Sequence, residues 1–130
     1  MAEITPSNPF LDLLGVRLVN WAPGRCSWQL DASEMLINPQ GKVHGGVIAT
    51  LMDVSCAYSG IYPENGHLDY RALTLSLNIH YLTSSEPGGL IAKGRLVGGG
   101  HRTFFAEAQL LSGSLLIATA SGCFRRQSVD

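Results

Sequence analysis

From Leu73 to Leu82 the chain alternates, with Leu73, Leu75, Leu77, Ile79 and Tyr81 on one side and Thr74, Ser76, Asn78 and His80 on the other. A two-residue period places successive side chains on opposite faces of a pleated backbone, so it predicts a strand with one buried face. Three more apolar runs, at 90–97, 103–111 and 115–124, are separated by Gly98 to Gly100 and by Ser112 to Ser114, and read as further strands. Upstream, residues 16–21 and 26–30 alternate around Pro23 and Gly24, which predicts a hairpin. The segment NPQGKVHGG is rich in turn residues and gives way to VIATLMDVSCAYSGIY, apolar nearly all round. That change predicts a buried helix of roughly four turns. Near the start, Asn8 can cap a short helix that has Pro9 in its first position and Gly15 as its stop. A hairpin, one long helix and four antiparallel strands in that order imply an α+β domain with the helix laid across a single sheet.

Composition narrows the class without naming a function. The chain has 130 residues, 45% of them hydrophobic and 15% charged. That is enough apolar material for a core and too little polarity for disorder. No internal repeat or linker divides it, so residues 1–130 are expected to form one domain. A formal net charge of -1 gives no electrostatic footprint for a nucleic-acid backbone. Cys26, Cys56 and Cys123 are odd in number and form no C-x-x-C pair, which points away from a disulfide framework and towards a reducing compartment. The opening MAEITPSNPF lacks the basic and apolar regions of a secretory signal, and Asp53 interrupts the apolar run at 43–63 that is long enough to suggest a membrane span. A cytoplasmic protein with no membrane contact is expected. The four histidines lack close metal-ligand spacing and no phosphate-cradling glycine motif is present, so no metal and no cofactor are expected.

Asp53 is the only formally charged residue between Lys42 and Glu64, and it lies within the long helix. At about 100° per residue, Gly46, Ala49, Thr50, Cys56, Ala57 and Gly60 share its side while Ile48, Leu51 and Tyr58 lie opposite. A carboxylate is rarely buried unpaired, so this stripe of small residues reads as a place for another helix, a thin ligand or a polar partner. At the start of the same helix, His44, Gly45 and Gly46 offer backbone N–H groups without intrahelical acceptors, able to hold an oxyanion; glycine pairs also simply open helices. Asn38 can shape the Asn-Pro turn, and Thr74 reads as an ordinary strand residue. Asp53 stands seven positions after Gly46, or roughly 10 Å along a helix axis. A base and an oxyanion donor must both lie about 3 Å from the reacting group, so one helix does not readily supply both. Two copies packed antiparallel about a two-fold axis would, which predicts an obligate homodimer with composite sites.

Taken together, NPQGKVHGGVIATLMD followed by LTLSLNIHYL resembles the hotdog-fold acyl-CoA thioesterases of the phenylacetic-acid-degradation type, over nearly the whole chain. The resemblance implies an antiparallel sheet wrapped around one central helix, dimers that join their sheets, and dimers of dimers. It implies hydrolysis of an acyl-CoA thioester to a free acid and coenzyme A. By motif, Asn38, His44 and Gly45 match the family's polar and oxyanion-hole positions, and Asp53 matches the family's catalytic carboxylate, which is contributed by the facing subunit. Thr74 falls where the family has a Ser or Thr that helps hold the attacking water, and Gly46 lies beside the substrate.

Coenzyme A also carries phosphates. After residue 90 the chain has five basic residues against two acidic ones. Arg102, next to His101 and the three glycines, is the first candidate phosphate contact, with Lys93 and Arg95 next. Two other readings remain open at this stage: a hotdog dehydratase acting on hydroxyacyl thioesters, and a non-catalytic acyl-CoA-binding or regulatory module.

Overall fold

The structure, a computed structural model, describes residues 7–129. The first residues, whose lack of a secretory pattern was noted above, lie mostly outside that range. A short helix α1 (Pro9–Leu14) begins where expected: the Asn8 side chain accepts from the Leu11 N–H, and Gly15 ends the helix at φ 83°. The strands β1 (Arg17–Ala22) and β2 (Arg25–Ala32) form the predicted hairpin. A single 3-10 turn at Glu34–Leu36 follows, and then the long helix α2 (Gly45–Ser59). The last four strands are β3 (Tyr70–Tyr81), β4 (Gly88–Gly99), β5 (Thr103–Ser112) and β6 (Leu115–Ser128). All neighbours are antiparallel, in the six-stranded order β1-β2-β4-β5-β6-β3. This is the α+β arrangement that the sequence predicts, and the sheet curls around α2.

The face of α2 that lies on the sheet carries Val47, Ile48, Leu51, Met52, Ser55 and Cys56. It meets Leu90 and Ala92 of β4, Phe104, Ala106 and Leu110 of β5, and Ala118, Ala120 and Phe124 of β6, all buried in one cluster. Each large apolar side chain removed from water there contributes about 1.5–3 kcal/mol. Glycine sets the closest approach: a Cβ on Gly94 would stand 1.8 Å from the Ser55 carbonyl oxygen, and one on Gly60 would stand 2.3 Å from the Phe104 ring. The Cys26 thiol donates to the same Ser55 carbonyl at 3.1 Å, tying β2 to the helix.

Two expectations change. The small-residue stripe beside Asp53 is shorter than the helical wheel suggests, because Cys56, Ala57 and Gly60 are buried. The open part is Gly46, Ala49, Thr50 and Asp53. The even alternation of β3 is also broken. Thr74 pairs with Phe124 and Ser76 with Cys123, so Leu75 is an extra residue, a bulge. A bulge exchanges the two faces of a strand. Before it, Ala72 and Thr74 point towards the helix; after it, Leu77, Ile79 and Tyr81 do. Leu73 and Leu75, expected in the buried row, are 45% and 47% exposed.

The sheet ends on β1 at one side and β3 at the other. β1 is six residues long, whereas β3 runs for twelve with its outer edge unpaired among the described residues.

Candidate active site

The start of α2 is built by a loop that folds back on itself. The Asn38 side-chain oxygen accepts from the N–H groups of Gln40 at 3.0 Å and Lys42 at 3.1 Å, while the Asn38 N–H donates to the Lys42 carbonyl at 2.7 Å. The turn is pinned outside by Lys42 against Glu86, by Val43 N–H to the Ser85 carbonyl at 2.8 Å, and by His44 N–H to the Leu36 carbonyl at 2.8 Å. His44 is the N-cap. Its Nδ1 accepts from the Gly46 N–H at 2.9 Å, and its carbonyl accepts from Val47 at 3.0 Å and Ile48 at 3.2 Å. An Nδ1 that accepts places the imidazole proton of the neutral ring on Nε2.

A helix start leaves four N–H groups without intrahelical partners in the ordinary case. Here the His44 N–H bonds to the Leu36 carbonyl, His44 in turn satisfies the groups of Gly46 and Val47, and the N–H of Gly45 has no partner among the described residues. The helix therefore presents one free donor in an electropositive position, next to a residue with no side chain to block approach.

The acid stands elsewhere. Asp53 is half-buried in the middle of α2, and the Thr74 hydroxyl of β3 donates to its Oδ1 at 2.8 Å. The bulge at Leu75 makes this contact possible, since it turns Thr74 to the helix side. One turn along the helix, the Cys56 thiol is pushed up to about 12, first by burial and then by the negative charge of Asp53. Burial raises the Cys26 thiol likewise to about 12. Neither thiol is a nucleophile at neutral pH.

The fold thus brings Asp53 and Thr74 together, and it separately gathers Asn38, His44, Gly45 and Gly46. Asp53 stands eight positions after Gly45, about 12 Å of axial rise. His101 and Arg102 sit in the exposed turn between β4 and β5. Tyr70 holds His101 through its hydroxyl at 3.3 Å, and Arg126 grips the carbonyls of Gly100 and His101, each at 2.8 Å, and that of Gly60 at 2.7 Å. This turn lies at the C-terminal end of α2, away from Gly45. Lys93 and Arg95 are exposed on the sheet face that points away from the helix, where Arg95 pairs with Glu107. The structure does not bring these two residues to the acid, because inward positions of β4 are the even ones.

Two residues near the site were not matched to the helix start or to the turn at Arg102 from the sequence. Tyr81 donates its hydroxyl to the Gly45 carbonyl at 2.9 Å. Arg126 fixes the turn that carries Arg102, and its guanidinium lies 4.6 Å from the centre of the Phe104 ring. The basic pair at Arg125 and Arg126 was visible in the sequence, yet nothing there distinguishes the inward residue from the outward one. No group of three His, Cys, Asp or Glu side chains suited to a metal occurs among the described residues.

Residues 40–117 match the family model described as the thioesterase superfamily. The matched span holds the helix start, Asp53, Thr74 and Arg102. The chain belongs to the thioesterase superfamily. It is a thioester hydrolase with the hotdog fold. A Pseudomonas aeruginosa protein named as an esterase is 32% identical over 120 residues, covering 91% of this chain and 88% of the relative. A conserved protein of known structure from Pseudomonas aeruginosa superposes with a TM-score of 0.83 at 26% identity, over 93% of this chain and 95% of that one. The Escherichia coli protein PaaI, from the phenylacetic acid degradation operon, gives 0.82 at 19% identity, over 93% and 86% of the two chains. At that identity the likeness to PaaI shows the fold alone. No helix among the described residues of this thioesterase is long and apolar enough to cross a membrane.

Proposed function

We propose that this chain hydrolyses acyl-CoA thioesters as a homodimer, in composite sites that join the Gly45 N–H of one copy to the Asp53 carboxylate of the other. The observation that carries this reading is a mismatch: the helix has one free amide donor and one supported acid, about 12 Å apart, although both must reach one carbonyl. The long unpaired edge of β3 offers the means of assembly. An open edge of that length favours pairing with another chain. Pairing of two β3 edges would set the two α2 helices side by side and antiparallel, and the small side chains at Gly46, Ala49 and Thr50 would allow close approach.

In the reaction, the thioester carbonyl oxygen accepts from the Gly45 N–H as negative charge develops on it. Thr74 occupies Oδ1 of Asp53 and leaves Oδ2 for chemistry. In the base-catalysed route Oδ2 takes a proton from water, the water oxygen bonds to the acyl carbon, the C–S bond breaks, and the proton passes to the departing thiolate. In the covalent route Oδ2 itself attacks the carbon, the C–S bond breaks and coenzyme A leaves as the thiolate, and water then cleaves the resulting anhydride, which restores the Asp53 carboxylate, frees the acid and supplies the proton for the thiolate. The exposed turn at His101 and Arg102 lies beyond the partner's helix start in such a dimer, where the phosphates of coenzyme A could meet Arg102.

The test uses two inactive variants. Asp53→Ala removes the acid, and Gly45→Pro removes only the free N–H. Proline suits the first position of a helix, and the residue before it, His44, already has the extended conformation proline requires, with φ -61° and ψ 135°. Release of free thiol from a panel of acyl-CoAs is measured for each variant and for an equimolar mixture refolded together. A composite site predicts recovery of about a quarter of wild-type activity, because half of the dimers are mixed and each mixed dimer has one intact site. A mixture as inactive as its parts would rule out sites shared between subunits. Tight acyl-CoA binding without turnover by the wild type would favour a binding module instead.

A further inference from the structure

Tyr81 lies at the end of β3 with its ring against Gly45. A Cβ placed on Gly45 would stand 3.7 to 3.9 Å from the Tyr81 ring and hydroxyl, ordinary contact distances, and the hydroxyl donates to the Gly45 carbonyl at 2.9 Å. The bulge at Leu75 lets β3 present both Thr74 to Asp53 and Tyr81 to Gly45 on one side of the sheet, which strict alternation would not allow.

This contact matters because of where it falls. Gly45 and Gly46 open the helix, and glycine backbones have the widest conformational freedom of any residue. An unbonded N–H at such a place would be poorly aimed. The donor's own peptide, His44–Gly45, is held through its carbonyl by the Val47 and Ile48 N–H groups, and the next peptide, Gly45–Gly46, is held at both ends, by Tyr81 on its carbonyl and by the His44 ring on its N–H. The two side chains come from different elements and fix the peptide that follows the donor N–H without either consuming it.

We infer that Tyr81 is a positioning residue for the hydrolysis, acting through Gly45 to hold the single free amide of the helix start in a fixed direction. This rests on the proposed role of Gly45 as the oxyanion donor. Preorganisation of that kind affects the transition state more than substrate binding, since the oxyanion forms only as the carbonyl is attacked. Its effect should fall on kcat and leave KM nearly unchanged.

The experiment compares wild type, Tyr81→Phe, and Tyr81→Phe combined with Gly45→Ala. Phenylalanine keeps the ring and deletes the hydroxyl. The expected loss in kcat is about tenfold, a fraction of the ~10²–10³ for losing an oxyanion donor outright, with KM within about twofold. Adding Gly45→Ala narrows the backbone freedom of the same residue by another route, and the space beside Tyr81 accepts the methyl. It should restore part of kcat. The ¹⁵N order parameter of the Gly45 N–H, measured without substrate, should fall in Tyr81→Phe from the rigid range near ~0.85 towards ~0.6 and rise again in the double variant. A loss confined to KM, a kcat within twofold of wild type, or an unchanged order parameter would overturn the inference. If the wild type turns over no acyl-CoA, the proposed substrate class fails, and the order parameter still decides whether Tyr81 holds the donor.

Discussion

At the helix start, the bonds that shape the turn are mostly local: Asn38 holds Gln40 and Lys42, two and four positions on, and His44 caps its own helix two positions on. Asp53 is met instead by Thr74, twenty-one residues away and on the sheet. The donor half is a loop whose shape follows from side chains bonding to nearby backbone. The acid half depends on the register of β3 against β6 and on a bulge within it. The donor half can therefore loosen without disturbing the core, whereas the acid half moves only if the sheet does. Changes to the loop should lower rate and local order together, while changes at Thr74 should lower rate alone.

The largest effect is expected at Asp53. Asp53→Asn keeps the size of the side chain and its hydrogen bond to Thr74 while removing the basic oxygen, and kcat should fall by about 10³–10⁴, near the upper range for a lost general base. Thermal stability should hardly change, because the side chain is half-buried and bears no salt bridge among the described residues. Retained turnover in this variant would place the chemistry elsewhere.

Gly45→Pro ranks next, with a loss of about 10²–10³ in kcat from removal of one donor. Gly45→Ala is its control: it keeps the N–H and meets Tyr81 at an ordinary distance, so activity should stay within a few-fold. Equal damage from both substitutions would mean that space at this position matters and the N–H does not.

Thr74→Val sharpens the contrast between the halves. Valine retains the shape and the strand preference and removes the hydroxyl that fixes Oδ1. A hydrogen bond to a charged group is worth about 1.5–3 kcal/mol when sheltered, and this one is partly open, so a loss of about tenfold in kcat is expected with little change in Tm. Asn38→Ala should behave differently, because two backbone N–H groups lose their acceptor. A decrease of about 1–2 kcal/mol in stability, with weaker ordering of His44 and Gly45, should accompany a moderate loss of rate. Identical Tm changes for the two variants would remove the distinction drawn between loop and sheet.

The same contrast explains what could be read from the sequence. The helix start was legible because its contacts are local: Asn38, His44 and the glycines stand close enough in the chain for turn chemistry to be inferred. The long helix, the hairpin and the strand order in the chain were legible from periodicity. Thr74 could not be matched to Asp53 from pattern alone, since strict alternation puts it on the face opposite Leu73 and Leu77 together. A bulge leaves no mark in hydrophobic period when the residues around it are Leu-Thr-Leu-Ser-Leu. Tyr81 stood in the apolar row of that alternation, as it does in the fold, but nothing in the pattern pairs it with Gly45. The strand β4 also hid its bulge, a register shift between Leu96 and Gly98, and the alternation alone did not say that Lys93 and Arg95 face away from the helix.

The smallest effect concerns the thiols beneath the acid. Cys26 and Cys56 are buried and pushed up to about 12 from an ordinary value of 9.0, Cys56 in part by Asp53 itself. Because the fold raises these values, it favours the protonated forms. The associated stability is complete below pH 9 and disappears as pH rises towards 12, where the folded state too must ionise. At pH 8 iodoacetamide should therefore modify Cys123, which is partly exposed, and leave the other two untouched until the chain unfolds. Loosening the helix start through Asn38→Ala should leave that protection nearly intact, since Cys56 is held by the sheet and Cys26 bonds to Ser55. Substituting Gly94→Ala, which would drive a methyl against the Ser55 carbonyl, should expose both thiols. If Asn38→Ala accelerates labelling of Cys56 as much as Gly94→Ala does, the two halves of the helix open as one unit, and the independence argued from their contacts is wrong.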